Sequence, residues 1–214
     1  MIQILLVDDH PIVREGLASL LSNQSDFKIC GEADDVSSAL GLVTKTKPHV
    51  VIVDISLKRS SGLDLISQIA EYDRSVKLLA CSLYDETVYA ERSLHAGALG
   101  YVNKQEATRT IVAAIRQVMS GKVYLSERMS EVFAQRLSGG NGGGGRPAVA
   151  ALSDRELEVY QLVGQGLKTP EIAAQLQVGI KTIETYRHRI KEKLNLKNTA
   201  QLARDAAHWV LDNG

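Results

Sequence analysis

Residues 47–57 read KPHVVIVDISL, and the reading of this run decides the fold. Four consecutive β-branched residues, Val50 to Val53, stand between a proline and the acid Asp54. A strand that is apolar throughout, instead of at alternate positions, has both of its faces covered. Outward from it, similar runs recur at Gln3–Asp8, Lys28–Glu32, Lys77–Ser82 and Gly100–Asn103, with His49–Asp54 the third of five. Stretches with helical spacing alternate with them: Pro11–Leu21, Val36–Thr44, Leu63–Tyr72, Glu86–His95 and Thr108–Met119. Five βα units predict an α/β fold, a doubly wound five-stranded parallel sheet with right-handed crossovers. A further helix is expected over Ser126–Leu137.

Ser138 to Arg146 reads SGGNGGGGR, with six glycines. Such a run loses too much backbone entropy to stay inside a helix or strand, so it reads as a flexible linker. The organisation expected for the 214 residues is a first domain at 1–122, a helix and Gly-rich linker at 123–147, and a second domain at 148–214. The second domain reads as all helix. Ser153 and Glu156 form a capping-box pattern for a helix ending near Gly166. Thr169 and Pro170 open a short helix to about Gln177, Val178–Gly179 make a turn, and helices follow at Lys181–Leu194 and Thr199–Asp212.

Composition is that of a globular protein, 44% hydrophobic and 23% charged. No run approaches the ~20 apolar residues that span a bilayer, and MIQILLVDDH has no basic leader region, so a soluble cytoplasmic protein with no membrane partner is expected. Cys30 and Cys81 lie in apolar runs and read as buried thiols of a reducing compartment. The net charge of zero conceals an asymmetry: 15 basic against 17 acidic residues precede Arg146, and 10 against 8 follow from it.

In a doubly wound sheet the binding crevice lies beyond the carboxyl ends of the strands. Asp8, Asp9, Asp54, Ser82 and Lys104 all stand there. Three carboxylates brought together repel one another unless a hard cation joins them, and Mg²⁺, which prefers oxygen ligands, fits. The lysine and hydroxyl could then bind the oxygens of a phosphoryl group on Asp54. Each residue alone reads more simply as a solvated strand end, a turn former or a surface lysine; the five in order carry the function.

In the second domain, KTIETYRHRIKEKLNLK (181–197) puts Ile183, Tyr186, Ile190 and Leu194 on one helix face. Six Lys or Arg stand against two acids in this segment. Such a run is often only a solvated face, but after a short helix and tight turn it makes a helix-turn-helix suited to DNA. Glu184, Thr185 and His188 are placed to meet base edges, with Thr182 on the same helix start. Lys181, Arg187, Arg189, Lys191 and Lys193 are expected to hold phosphates.

With LLVDDH, VIVDISL, ACS and GYVNK in these places, residues 1–120 resemble a response-regulator receiver domain. Residues 148–214, with LSDRELEVYQLVGQGLKTPEIAAQL, resemble a LuxR-type helix-turn-helix. Together they resemble the NarL/FixJ class. The resemblance implies a flavodoxin-like sheet, Asp54 as phosphoacceptor, and Mg²⁺ held by Asp8, Asp9, Asp54 and the Ser56 backbone carbonyl. It makes Ser82 the switch hydroxyl, Lys104 the phosphate-binding lysine, and Tyr101 an aromatic switch that turns inward. It also implies a sensor histidine kinase as donor, promoter DNA bound in the major groove, and a homodimer when phosphorylated. Ala203, Ala206, Ala207, Trp209 and Val210 are candidates for the dimer surface or for core packing.

Three departures stand out. Leu57–Lys58 replaces the family's usual Met/Leu-Pro pair, Lys168–Thr169–Pro170 replaces Ser-Asn-Lys, and Glu184 stands where many relatives carry lysine. Glutamate there could accept from cytosine N4 or exclude other sequences. Two rival readings remain: an aspartyl-phosphate hydrolase, disfavoured because Ser56 stands where a second acid would be needed, and a regulator independent of phosphorylation whose first domain only docks or dimerises. The sequence names neither kinase, promoter nor sign of regulation.

Overall fold

The computed structural model describes residues 1–57, 61–137 and 148–213. The expected linker at 138–147 and Lys58 lie outside the described residues. The chain divides into two compact units, Met1–Leu137 and Ser138–Gly214.

The first unit alternates β1 (Ile2–Val7), α1 (Pro11–Ser22), β2 (Phe27–Ala33), α2 (Val36–Thr46), β3 (Val50–Val53), α3 (Gly62–Tyr72), β4 (Lys77–Ser82), α4 (Glu86–Ala96), β5 (Gly100–Asn103) and α5 (Ala107–Met119). The strands form one sheet in the order β2-β1-β3-β4-β5, every neighbouring pair parallel. This is the doubly wound fold the apolar runs predict. β3 lies at its centre with all four residues buried, as a strand covered on both faces must be. Ile4, Leu6, Ile52 and Leu79 pack against Leu17, Leu21, Ile111 and Ile115 of α1 and α5.

Residues after α5 stay with this unit. The Tyr124 carbonyl accepts the Tyr101 amide at 3.1 Å, beside β5. The helix α6 (Glu127–Leu137) packs on α4, tied by a 2.8 Å bond from Ser126 Oγ to Glu86 Oε1. The segment expected to lead into a linker is thus anchored beside β5 and α4.

The second unit contains a 3₁₀ turn (Ala148–Ala151), α7 (Asp154–Gly164), α8 (Thr169–Gln175), α9 (Ile180–Lys193) and α10 (Thr199–Asn213). The capping box forms as read: Ser153 N donates to Glu156 Oε2 at 2.7 Å, and Glu156 N donates to Ser153 Oγ. At α8 the cap is Lys168, not Thr169, because Lys168 N donates to Glu171 Oε2 at 2.6 Å and helical geometry begins a residue sooner. α7 and α10 pack closely: a Cβ on Gly164 would lie 2.4 Å from the Ala206 carbonyl. Ala206 is fully buried, the Trp209 ring meets Tyr160, and Val210 lies against Gly164. Ala206 is therefore core, Trp209 and Val210 pack against α7 while staying half-buried, and of the other candidates for the dimer surface Ala203 is exposed and Ala207 half-buried.

Candidate functional site

Backbone ladders run past the strand ends and so fix where the site side chains emerge. Asp8 N donates to Ala33 O, Asp54 N to Val7 O, and Lys104 N to Ser82 O, at 3.1, 2.8 and 2.9 Å. Each bond holds a functional residue at the carboxyl edge of the sheet. Asp8, Asp9, Asp54 and Ser82 are buried there.

Lys104 Nζ bridges two of the acids, 2.6 Å from Asp8 Oδ2 and 2.8 Å from Asp54 Oδ2. Ser56 donates to the Asp54 carboxylate from both its amide and its hydroxyl, at 3.1 Å. Burial pushes the Asp54 carboxyl above the usual range; Lys104 opposes this, and the Asp8 charge adds to it. Burial lowers the Lys104 ammonium, but Asp54 and Asp8 outweigh it and the net shift is upward. One lysine thus faces three carboxylates, leaving an excess of negative charge that a divalent cation would balance. A ligand atom from each of Asp8, Asp9, His10 and Asp54 lies within 4.8 Å of the others. Such a donor set, mostly carboxylate oxygen, suits Mg²⁺.

His10 is the member of this cluster that sequence reasoning left without a role. It caps α1, but its side chain makes no capping bond. Its Nδ1 instead lies 2.7 Å from Asp9 Oδ1 and 3.1 Å from Asp8 Oδ1. Pro11 at the first helical position pre-sets the backbone that turns it there. Gly62 was missed as well. A Cβ at this position would come 1.9 Å from the Asp54 carbonyl, so only glycine lets α3 start against the strand end. The Ser61–Gly62–Leu63 triplet at the start of α3 was its only signal.

Ser82 Oγ accepts from Tyr84 N at 3.3 Å. The Tyr101 ring is buried and its hydroxyl donates to the Tyr84 carbonyl at 2.6 Å, with Ser82 alongside. The inward position expected of Tyr101 after a switch is the one it occupies in this structure.

On α9, Ile183 and Ile190 are buried and Tyr186 and Leu194 half-buried. Lys181, Thr182, Glu184, Thr185, His188 and Arg189 are exposed, and Lys191 partly so. His188 pairs with Glu192 one turn on, at 3.4 Å. Two expected phosphate ligands are engaged elsewhere. Arg187 turns back to α8, where Nη1 donates to Thr169 Oγ1 at 3.0 Å, and burial lowers its guanidinium pKa. Lys193 Nζ lies 2.6 Å from Glu156 Oε2, closing the α7 capping box. Spacing on a helical wheel could not distinguish these two from Lys181 or Arg189, because their partners come from other helices.

The family model described as "Response regulator receiver domain" matches residues 4–116, and the one described as "Bacterial regulatory proteins, luxR family" matches 150–206. The response regulator UvrY of Escherichia coli K12 is 33% identical over 213 residues, covering 100% of this chain and 97% of that protein. The oxygen regulatory protein NreC of Staphylococcus carnosus is 32% identical over 204 residues, covering 94% of each. Among solved structures, RcsB of Salmonella enterica serovar Typhimurium, bound to promoter P1flhDC with the phosphomimetic BeF₃⁻, superposes with a TM-score of 0.64. It is 26% identical, and the match covers 97% of this chain and 98% of that one. With a receiver unit at the front and a LuxR-family helical unit behind, the chain belongs to the response regulators of the NarL/FixJ type, transcription regulators of two-component systems.

Proposed function

We propose that a phosphoryl group received on Asp54 controls promoter binding by α9. The carrying observation is the carboxyl-edge constellation, three carboxylates bridged in part by one lysine, with Asp54 at its buried centre. An Asp54 carboxylate oxygen attacks the phosphorus of a phosphohistidine on a sensor kinase, or of an acyl phosphate; the donor's bond to phosphorus breaks as the new one forms. Asp8, Asp9, Asp54 and the Ser56 backbone carbonyl are the residues that would hold Mg²⁺, which supplies charge neutralisation for the transferred group. Lys104, already against Asp54 Oδ2, binds the phosphoryl oxygens, and Ser82 Oγ moves from Tyr84 N to meet them. No further turnover of substrate is part of this role.

The added charge, about −1.5 to −2, must favour one arrangement over another to act as a switch. The Ser82–Tyr84–Tyr101 linkage supports a route for it. Tyr101 N reaches Tyr124 O, and Ser126 reaches Glu86 on α4, so a shift at β4 and β5 bears on the segment leading into α6. The chain then acts as a homodimer in the cytoplasm, its two α9 helices entering major grooves at half-sites about one turn apart. Glu184, Thr185 and His188 read bases, while Lys181, Thr182, Arg189 and Lys191 position the helix on the backbone. Among the described residues no helix is long and apolar enough to cross a membrane.

Selection of bound genomic DNA with and without acetyl phosphate and Mg²⁺ tests the reading. Enrichment that rises with phosphodonor and is insensitive to it in Asp54→Asn is the expected result. Equal enrichment in all arms would mean a regulator whose first unit only docks.

A further inference from the structure

We infer that His10 is a nitrogen ligand of the acidic pocket, so that the site takes a first-row transition-metal dication as well as Mg²⁺. The inference rests on the reading of that pocket as a divalent-cation site. A histidine at a helix N-cap with no tertiary role would either cap its helix or extend into water. The His10 side chain is half-exposed but makes no capping bond, and its Nδ1 is turned among the acids, 2.7 Å from Asp9 Oδ1, 3.1 Å from Asp8 Oδ1 and 3.9 Å from Asp54 Oδ2. Neighbouring ligand atoms on an octahedral ion with bonds of about 2.1 Å lie roughly 3 Å apart, which is the spacing of Nδ1 from the first two oxygens.

The backbone fixes this placement. His10 N donates to Asp8 Oδ1 at 2.8 Å, and Arg14 Nη1 donates to the Asp8 carbonyl at 2.5 Å from one turn along α1. Asp8 is thereby tied to the loop that carries His10, and ring and carboxylate move together. The ring is 54% exposed while the Asp8 and Asp9 side chains it meets are 4% and 3% exposed, so Nδ1 reaches the carboxylates from the solvent side of the pocket. An all-oxygen set ranks cations by size and hydration, and Mg²⁺ gains nothing from an imidazole. A borderline ion such as Co²⁺ or Ni²⁺ gains a good deal, following the usual rise of affinity across the row.

The test uses the full chain and two variants, His10→Gln and His10→Asn, the second retaining a good helix N-cap. Bound Mn²⁺ is examined by electron spin-echo modulation, and Co²⁺ and Mg²⁺ are titrated calorimetrically. Imidazole-nitrogen modulation on Mn²⁺ is expected in the wild type and absent from both variants while Mn²⁺ remains bound. Co²⁺ affinity should fall about tenfold in the variants, and Mg²⁺ affinity should change less than about twofold. Bound Mn²⁺ without nitrogen modulation, modulation that persists in the variants, or equal loss for Co²⁺ and Mg²⁺ would each overturn the assignment of His10. If the wild type binds Mg²⁺ and Asp54 accepts a phosphoryl group in those cases, the pocket reading survives. If neither occurs, both readings fall.

Discussion

Asp54→Asn should make the metal-free protein more stable, and the structure gives the size of the gain. Asp54 Oδ2 lies 2.8 Å from Lys104 Nζ, an attraction of about 6 kcal/mol at an effective dielectric of 20. Ligand oxygens of Asp8 and Asp9 lie within 4.8 Å of that of Asp54, so each repels it by at least about 3.5 kcal/mol on the same scale. The repulsions together exceed the attraction by roughly 1 kcal/mol, and the cost of burying the charge adds to this. Asparagine removes the charge and keeps the shape. In EDTA at neutral pH the first unit should gain about 1–3 kcal/mol, a rise in melting temperature of roughly 3–10 °C. The pH dependence has a definite sign. Asp54 has a folded pKa raised by burial, so its ionisation costs stability at neutral pH, and that cost disappears as pH falls through the raised value. The gap between wild type and variant should therefore narrow on acidification, and close at neutral pH when Mg²⁺ is added. Calorimetric melts of both proteins, with EDTA or Mg²⁺ at several pH values, decide it. A variant less stable than wild type in EDTA would refute the claim that the pocket is over-charged without a cation.

The partner of Lys193 on another helix separates two lysines two residues apart. Lys191→Ala should flatten the salt dependence of DNA binding by about one unit, whereas Lys193→Ala should leave the slope unchanged and lower the stability of the second unit by about 1 kcal/mol. Burial works against ionisation of Glu156, but Lys193 and Ser153 outweigh it and its pKa is lowered; the stability their pairing supplies is full above the ordinary glutamate pKa and is lost as pH falls through the depressed value, which acid melts of the two proteins would show. Gly62→Ala should destabilise the first unit by about 1–3 kcal/mol and slow phosphorylation of Asp54, since its Cβ has to displace the Asp54 carbonyl; denaturant unfolding alongside Phos-tag gels would register both.

The sheet was legible because its signal is local and redundant: VVIV and ILLV are suited to strands buried on both faces, and each is followed at once by an aspartate of the candidate site. Asp8, Asp9, Asp54, Ser82 and Lys104 were legible for the same reason, since parallel topology brings strand ends to one edge without any knowledge of side-chain contacts. His10 and Gly62 were not, because their roles depend on which way a cap residue turns and how closely α3 approaches β3. The face of α9 was readable from its period, but the assignment of Arg187 and Lys193 was not. A helical wheel shows a positive charge outward whether or not Thr169 or Glu156 of another helix waits beside it. For α10, the alanines and Trp209 fit dimer and core equally well in sequence; the approach of Gly164 decides for core at Ala206, while Ala203 stays exposed.

Intact-mass measurement after incubation with acetyl phosphate addresses the central claim most directly. With Mg²⁺ the wild-type chain should gain the mass of one phosphoryl group, and it should gain none in EDTA or as Asp54→Asn. A wild-type mass that stays unchanged with Mg²⁺ present, or equal labelling of the variant, would contradict Asp54 as the acceptor.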